Sequence, residues 1–464
     1  MAAKKVAKKK GSKRAEALIV RTPKSMRDAA RREPTTKGAA QSAPVSPAKQ
    51  AVMTKAGRLA GVPDMSPKER LAAAKAGADK INKEFKGEIV VSAEDAHGKS
   101  FLRRPCGIMQ LDIDTGGGLP AGSFNTISGP NNAGKSTILY YYFAEHQRLY
   151  GDAAYCALVL SEGHVDYDQA RRCGWIIPYP KEVIAGKRQA RLELGEPDFT
   201  EEELADMRRS IGVNNIVYGL STAEEMLDVT GKLLESNLYG LVGLDSYEGL
   251  MPNAEAQLES LEDFPQQAAR ATAIGRFLQH YGPIKRSPDH FTTFIMTCQI
   301  RFNRKKQEAQ SFMQKYLKDW AEVVPDVVKH WRTNAIVLWA SGKQKEKGDK
   351  DDKGPKEVVG KDVNWEITKG KDGTHDNIMG STVYWYDPRC FDIQRTVIHA
   401  GMRYGVLREI NGQLTLFKNG EPHEYLRNID GPDMFVQAML EEPDSEWDAR
   451  HVILHALGKD CLYR

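Results

Sequence analysis

Eight consecutive residues, Gly129-Pro130-Asn131-Asn132-Ala133-Gly134-Lys135-Ser136, fit the pattern G-x-x-x-x-G-K-[ST] in full. Glycines let a backbone curl until its N–H groups face inward, and a helix starting at the end of the curl adds its own unpaired N–H groups. The chemistry this serves is the grip on a nucleoside triphosphate. Lys135 is expected to reach the β- and γ-phosphates, and the Ser136 hydroxyl to ligate Mg²⁺. Thr137 follows directly. ATP and Mg²⁺ are therefore the expected cofactors.

Three further positions could act on the triphosphate. Tyr239-Gly-Leu-Val-Gly-Leu-Asp245 is an apolar run ending in a carboxylate, suited to holding Mg²⁺ through its water shell. Leu158-Val-Leu-Ser161-Glu162 is a second such run, and a carboxylate there can polarise the attacking water. Phe294-Ile-Met-Thr-Cys-Gln299 ends in an amide, which can touch both a γ-phosphate and the loop beyond it. Each also reads as an ordinary polar residue at a strand end; it is their company with the phosphate loop that gives them weight.

Such residues must sit on rigid elements at one edge of a sheet. Short apolar, β-rich runs predict strands at Phe124–Ser128, Ala154–Leu160, Gly240–Leu244, Phe291–Thr297 and Ala335–Ala340. Helical stretches at 135–149, 222–236 and 264–281 lie between them. The alternation predicts an α/β fold with a mostly parallel central sheet. Residues 342–361 read as a charged loop, and 388–464 as a small final unit with hairpins at Asn411-Gly412 and Asn419-Gly420. Residues 64–86 read as a helix capped by Asp64 or Ser66, with Pro67 in its first turn and Leu71, Ala74, Ala78, Ile81 and Phe85 at helical spacing. A lone helix must pack on its own domain or on a neighbouring subunit.

The chain has 464 residues and a net charge of +4 that hides an asymmetry. Residues 1–60 carry 16 Lys and Arg against 3 Asp and Glu and contain no aromatic residue. That composition predicts a disordered basic arm, a tether for nucleic acid or else a solubilising or targeting tail. The six cysteines are scattered without a C-x-x-C pair, which points away from a disulfide framework and toward a reducing compartment. No apolar run is long enough to span a bilayer.

Several segments together resemble the bacterial RecA family and its phage-encoded relatives over about residues 65–460. They are Leu111-Asp-Ile-Asp-Thr-Gly-Gly-Gly-Leu-Pro-Ala-Gly-Ser-Phe-Asn-Thr-Ile-Ser-Gly-Pro130, Leu244-Asp-Ser-Tyr-Glu-Gly-Leu-Met-Pro252, Thr297-Cys-Gln-Ile-Arg301 and Trp365-Glu-Ile-Thr-Lys369-Gly-Lys371. The resemblance implies a RecA-like P-loop ATPase core over 96–387, an N-terminal polymerisation helix and strand within 61–95, and a small α/β C-terminal lobe over 388–464. It implies that Glu162 activates water, that Gln299 senses the γ-phosphate, and that Lys369 and Lys371 reach the neighbouring subunit's γ-phosphate. Asp166 and Tyr167 fall near the adenine turn, although Gln169 stands where the family has its stacking tyrosine. A subunit-interface position that is usually aromatic aligns with Leu338, beside Trp339.

The same resemblance implies two DNA-binding loops. One spans Asn253–Asp263 and is acidic. The other spans Arg301–His330, with Arg301, Arg304, Lys305, Lys306 and Lys315 among aromatics Phe302, Phe312, Tyr316 and Trp320, the mixture a single-strand channel requires. Phe312, Tyr316 and Trp320 also fit a helix packed on the core. The implied function is an ATP-dependent recombinase that forms helical filaments on single-stranded DNA and pairs it with duplex, in the cytoplasm at the nucleoid or in a phage-infected host cell. A ring-forming helicase on the same nucleotide fold and an ATP-regulated DNA-coating mediator are the alternatives. Extra residues relative to the family lie within 174–212, where Thr200-Glu-Glu-Glu203 predicts a capped helix.

Overall fold

The computed structural model describes residues 66–84, 102–256, 268–286, 289–303, 318–345, 357–371, 376–387, 390–418, 420–441, 449–450 and 452–453. The basic arm lies outside the described residues. Contacts divide the chain into two units, 1–90 and 91–464, each taken by itself below.

In the first unit, helix α1 spans Pro67–Glu84. Ser66 caps it: the Ser66 N–H donates to Glu69 Oε2 at 2.7 Å and the Glu69 N–H donates to Ser66 Oγ at 3.3 Å, while Asp64 lies outside the described residues. Proline takes the first helical position, where no N–H partner is needed. Leu71 and Ile81 of its apolar stripe are exposed.

The second unit is built on one large sheet. Its strands are β1 (Phe124–Gly129), β2 (Tyr155–Leu160), β3 (Val213–Val217), β4 (Leu241–Asp245), β5 (Thr293–Phe302), β6 (Trp320–Glu322), β7 (Asn334–Lys345), β8 (Val358–Lys369), β9 (Ile378–Trp385) and β10 (Cys390–Phe391). They run in the order β10-β9-β8-β7-β1-β5-β4-β2-β3, with β6 paired to the end of β5. The six strands from β7 to β3 are mutually parallel; β8, β9 and β10 add antiparallel on one flank.

Both faces of the sheet are covered, so its central strands are continuously apolar. Along β5, Ile295 packs into one core while Phe294 and Met296 pack into the other. The first core is closed by helices α3 (Lys135–Tyr150) and α4 (Tyr167–Arg172), and the second by α7 (Ala223–Ser236) and α9 (Ala268–Arg286), after α5 (Lys181–Glu193) and α6 (Glu201–Arg208). Gly243 lets α3 lie close on β4: a Cβ there would meet Leu139 and Phe143 at 3.0 Å. A third core joins α2 (Met109–Asp114), through Met109 and Ile113, to α11 (Ile393–Arg403), α12 (Gly431–Glu441) and a small sheet.

All five predicted strands are present, and the predicted helices begin and end within a few residues of those found. Asn411-Gly412 forms the two-residue hairpin turn with both residues at positive φ. Thr200 and Glu203 form the full capping box of α6.

Four expectations change. Strand β3 was not foreseen: it is the sheet edge, and Asn214 and Asn215 break its apolar run. Residues 342–345 and 358–361 are not loop but the continuation of β7 and β8, whose pairing extends to Val358↔Lys345. Trp320 stands in β6 rather than on a helix, and α10 (Asp326–Trp331) follows it; Phe312 and Tyr316 lie outside the described residues. Leu338 is fully buried inside β7 and offers no surface for a subunit interface.

Candidate nucleotide and hydrolysis site

Strand register alone gathers the chemistry. Gly129 pairs with Gln299, and Leu160 with Asp245, so the carboxyl ends of β1, β2, β4 and β5 lie at one edge of the sheet. That edge is where parallel α/β sheets bind ligands.

The phosphate loop follows β1 and runs into α3. Asn132 and Gly134 hold positive φ, and a Cβ on Gly134 would come within 2.7 Å of Phe391. Lys135 folds back over the loop, donating to the carbonyls of Gly129 at 3.2 Å and Pro130 at 3.0 Å. Burial lowers the pKa of its ammonium, against the pull of Asp245, Glu248 and Glu162. The first turn of α3 has no carbonyls ahead of it, so its N–H groups are free for an anion.

Asp245 and Glu162 are each anchored. Thr297 Oγ1 donates to Asp245 Oδ1 at 2.5 Å. Ser246 Oγ donates to Glu162 Oε1 at 2.7 Å, and Ser161 Oγ accepts from the Ser246 N–H at 2.7 Å. The Asp245–Ser246 peptide is cis. Gln299 is held from the main chain, its N–H donating to Glu248 Oε1 at 2.7 Å.

Beside the phosphate loop opens a cleft of about 670 Å³ lined by Asn132–Thr137, Gln169, Lys361, Tyr384 and Tyr386. Gln169 Nε2 donates to Thr137 Oγ1 at 2.7 Å and to the Tyr384 hydroxyl at 3.1 Å. Lys361 donates to the Asn132 carbonyl and lies 5.0 Å from the Tyr384 ring centre. Asp166 and Tyr167 line a neighbouring cleft instead. There Asp166 caps α4 by accepting from the Gln169 N–H at 2.9 Å, and Tyr167 packs on Tyr179.

Lys361, Tyr384 and Tyr386 escaped the sequence reading. The available signal was period-two spacing of Tyr384 and Tyr386, which puts both on one face, with Lys361 directly across from Tyr384. Glu248 escaped too, being a polar residue past the strand end.

Lys369 and Lys371 are not brought to this edge. Strand β8 runs away from it: Lys361 touches the phosphate loop, whereas Lys369 pairs with Ala335 at the far end of β7. The eight residue steps between the two lysines cover about 26 Å at ~3.3 Å each, beyond the reach of a side chain. Lys369 Nζ donates to the carbonyls of Lys329 and His330, the latter at 3.0 Å, at the end of α10. Its pKa falls to about 8, first through burial and then through Lys371 and Arg332.

Arg301 and Phe302 project at the end of β5, both exposed, in a stem paired with β6. Arg304, Lys305, Lys306 and Lys315 lie outside the described residues, as do residues 257–263 of the acidic loop. The stem is tied to β1 by a buried ion pair. Arg332 grips Glu322 at 2.6 and 2.7 Å, and Ser128 Oγ donates to Glu322 Oε1 at 2.7 Å.

The donor set fits Mg²⁺ rather than a protein-caged metal. Ser136 and Asp245 are hard oxygen groups, and among the described residues no three His, Cys, Asp or Glu side chains converge on one point. Mg²⁺ sites commonly have this character, with few protein ligands and the rest from phosphate and water.

A parallel sheet carrying a phosphate loop on its central strand, with carboxylates and an amide on the adjoining strand ends, defines a P-loop nucleotide-binding core. No protein-family model matches the chain. Protein RecA of Desulfovibrio desulfuricans is 30% identical over 202 residues, 43% of this chain and 45% of that protein. Protein RecA of Nitratidesulfovibrio vulgaris is 27% identical over 246 residues, 52% of this chain and 57% of that protein. Protein RecA of Chloroflexus aurantiacus is 28% identical over 192 residues. The chain spans about half the length of the curated relatives it matches. It is a distant relative of the RecA family, with a RecA-like core.

Proposed function

We propose that the chain is an ATP-dependent recombination protein that polymerises on single-stranded DNA and pairs it with homologous duplex. The observation that carries this reading is the placement of Lys369 and Lys371. Lys369 stands too far from its own phosphate loop to serve it, and Lys371 follows two residues beyond, which supports a role for the pair at a second copy's site. Hydrolysis then requires assembly, because part of the positive charge comes from the neighbour.

Within one copy, Lys135 leaves its loop carbonyls to neutralise phosphate charge, and the α3 N-terminus and loop amides orient the triphosphate. Ser136 and Asp245 would hold Mg²⁺, which when bound would supply positive charge to the phosphates. Glu162, steered by Ser246, orients and polarises the attacking water. Tyr384, Tyr386 and Lys361 flank the nucleoside side of the cleft. Gln299 links the γ-phosphate to the stem of Arg301 and Phe302, where backbone cations and aromatic faces take the single strand. Helix α1, with Leu71 and Ile81 uncovered, docks on the adjacent copy, the basic arm tethers nucleic acid, and the C-terminal lobe gathers duplex.

Electron microscopy of the protein with single-stranded DNA and a non-hydrolysable ATP analogue tests the reading. A regular helical polymer dependent on nucleotide is expected. Closed rings would favour a helicase, and irregular coating indifferent to nucleotide would favour a mediator.

A further inference from the structure

Glu248 has no part in the mechanism above, yet it occupies the junction between the nucleotide site and the stem. It lies on the single turn Tyr247–Gly249 directly after Asp245 and Ser246. One carboxyl oxygen, Oε1, accepts the main-chain N–H of Gln299 at 2.7 Å. The other, Oε2, is buried and has no hydrogen-bond partner among the described residues. A buried acceptor left unpaired is costly, so its retention calls for a function.

Its electrical neighbours come from three elements. Lys135 of the phosphate loop faces it with positive charge, Glu162 beyond β2 with negative charge, and the Cys298 thiol of β5 lies beside it. Burial raises the pKa of the carboxyl, and Glu162 adds to that, while the Gln299 N–H, the N–H of Glu248 itself and Lys135 oppose it.

We propose that Glu248 is a positioning residue that couples nucleotide occupancy to the strand bearing Arg301 and Phe302, by holding the main chain of Gln299 from the turn that directly follows Asp245 and Ser246. This rests on the reading of the chain as a DNA-stimulated ATPase. A carboxylate gripping an amide N–H is a charge-assisted bond, stronger than a neutral one. An arriving triphosphate draws Lys135 away and adds negative charge beside Glu162. Each change alters the charge on the oxygen that holds Gln299. The signal therefore enters β5 through its backbone, two residues before Arg301, in addition to any contact made by the Gln299 side chain.

The test uses the full-length chain as wild type, Glu248→Ala and Glu248→Gln. The affinity of a fluorescent non-hydrolysable ATP analogue is titrated with and without oligo(dT), and the ratio of the two dissociation constants measures the coupling. Glu248→Ala is expected to bring that ratio to within twofold of unity. Glu248→Gln, which keeps an acceptor for the Gln299 N–H but no charge, is expected to fall between Ala and wild type. Far-UV circular dichroism checks folding; if the alanine variant does not fold, the glutamine variant decides. A wild-type ratio in either folded variant refutes the proposal, as does an affinity loss of equal size with and without DNA. A wild-type protein whose nucleotide affinity ignores DNA removes the underlying reading as well.

Discussion

Ser246 Oγ donates to Glu162 Oε1 at 2.7 Å across a sequence separation of 84 residues. The serine is itself fixed on its main chain, its N–H donating to Ser161 Oγ and its carbonyl accepting from that same hydroxyl. The exposed glutamate thus has one oxygen committed, and among the described residues the other accepts no hydrogen bond.

Ser246→Ala is expected to lower kcat about tenfold, equivalent to ~1.4 kcal/mol of transition-state stabilisation, with little change in KM. Ser246→Thr keeps a hydroxyl and should recover most of the rate. Steady-state ATPase assays separate the outcomes; a raised KM at constant kcat would mean the serine serves ground-state binding.

Lys135→Ala and Lys369→Ala are each expected to abolish hydrolysis alone, for different reasons. Mixed in equal amounts they should regain activity, because about one interface in four of a random head-to-tail polymer then joins an intact Lys135 to an intact Lys369. Phosphate release from the mixture measures it. No recovery would reject the shared site and leave Lys369 with a structural role in its own copy.

The Glu322–Arg332 pair is buried, and Glu322→Ala should cost about 3–5 kcal/mol by stranding the guanidinium. Burial by itself would raise the pKa of the Glu322 carboxyl; the Arg332 guanidinium and the Ser128 hydroxyl outweigh burial and hold it below the usual 4.5. Its contribution is therefore present above pH 4.5 and lost as pH falls through the folded value. Urea unfolding of wild type and variant across acid pH should show the difference between them shrinking.

Asp114 behaves in the opposite sense. Burial raises its pKa from 3.8 to about 6, only partly offset by Trp365, Arg403 and Gln110. The stability tied to its protonated form is complete below pH 3.8 and disappears as pH rises through about 6. Asp114→Asn retains an acceptor for the Trp365 indole, so it should flatten the stability profile between those values and leave the protein at least as stable at pH 7.5. Thermal melts across that range provide the check.

The parallel core was legible because strands buried on both faces announce themselves as unbroken apolar runs, as in Phe294-Ile-Met. Strand β3 was not, since an edge strand tolerates Asn214 and Asn215. The candidate site was legible where a motif fixes backbone shape, from Gly129 to Ser136, and where an apolar run ends abruptly in Asp245 or Glu162. It was illegible where function comes from pairing between distant segments. Lys361 meets the phosphate loop only through β8, and the Gln299 amide finds Glu248 only once β5 lies beside the turn after β4. Gln169, which stands where the family has its stacking tyrosine, bonds Thr137 and Tyr384, and the aromatic lining of the cleft comes from Tyr384 and Tyr386.

Strand β8 bears a cation at each end, one touching its own phosphate loop and one pointing away. In the proposed polymer, where Lys361 stays with its own loop and Lys369 serves the next copy, the strand would act as a ruler, its length setting the spacing between successive fuel sites along the fibre. Lengthening it by two residues would keep every side chain on its proper face while stretching that gauge, so the axial repeat of such an assembly would follow the arithmetic of a single β-strand.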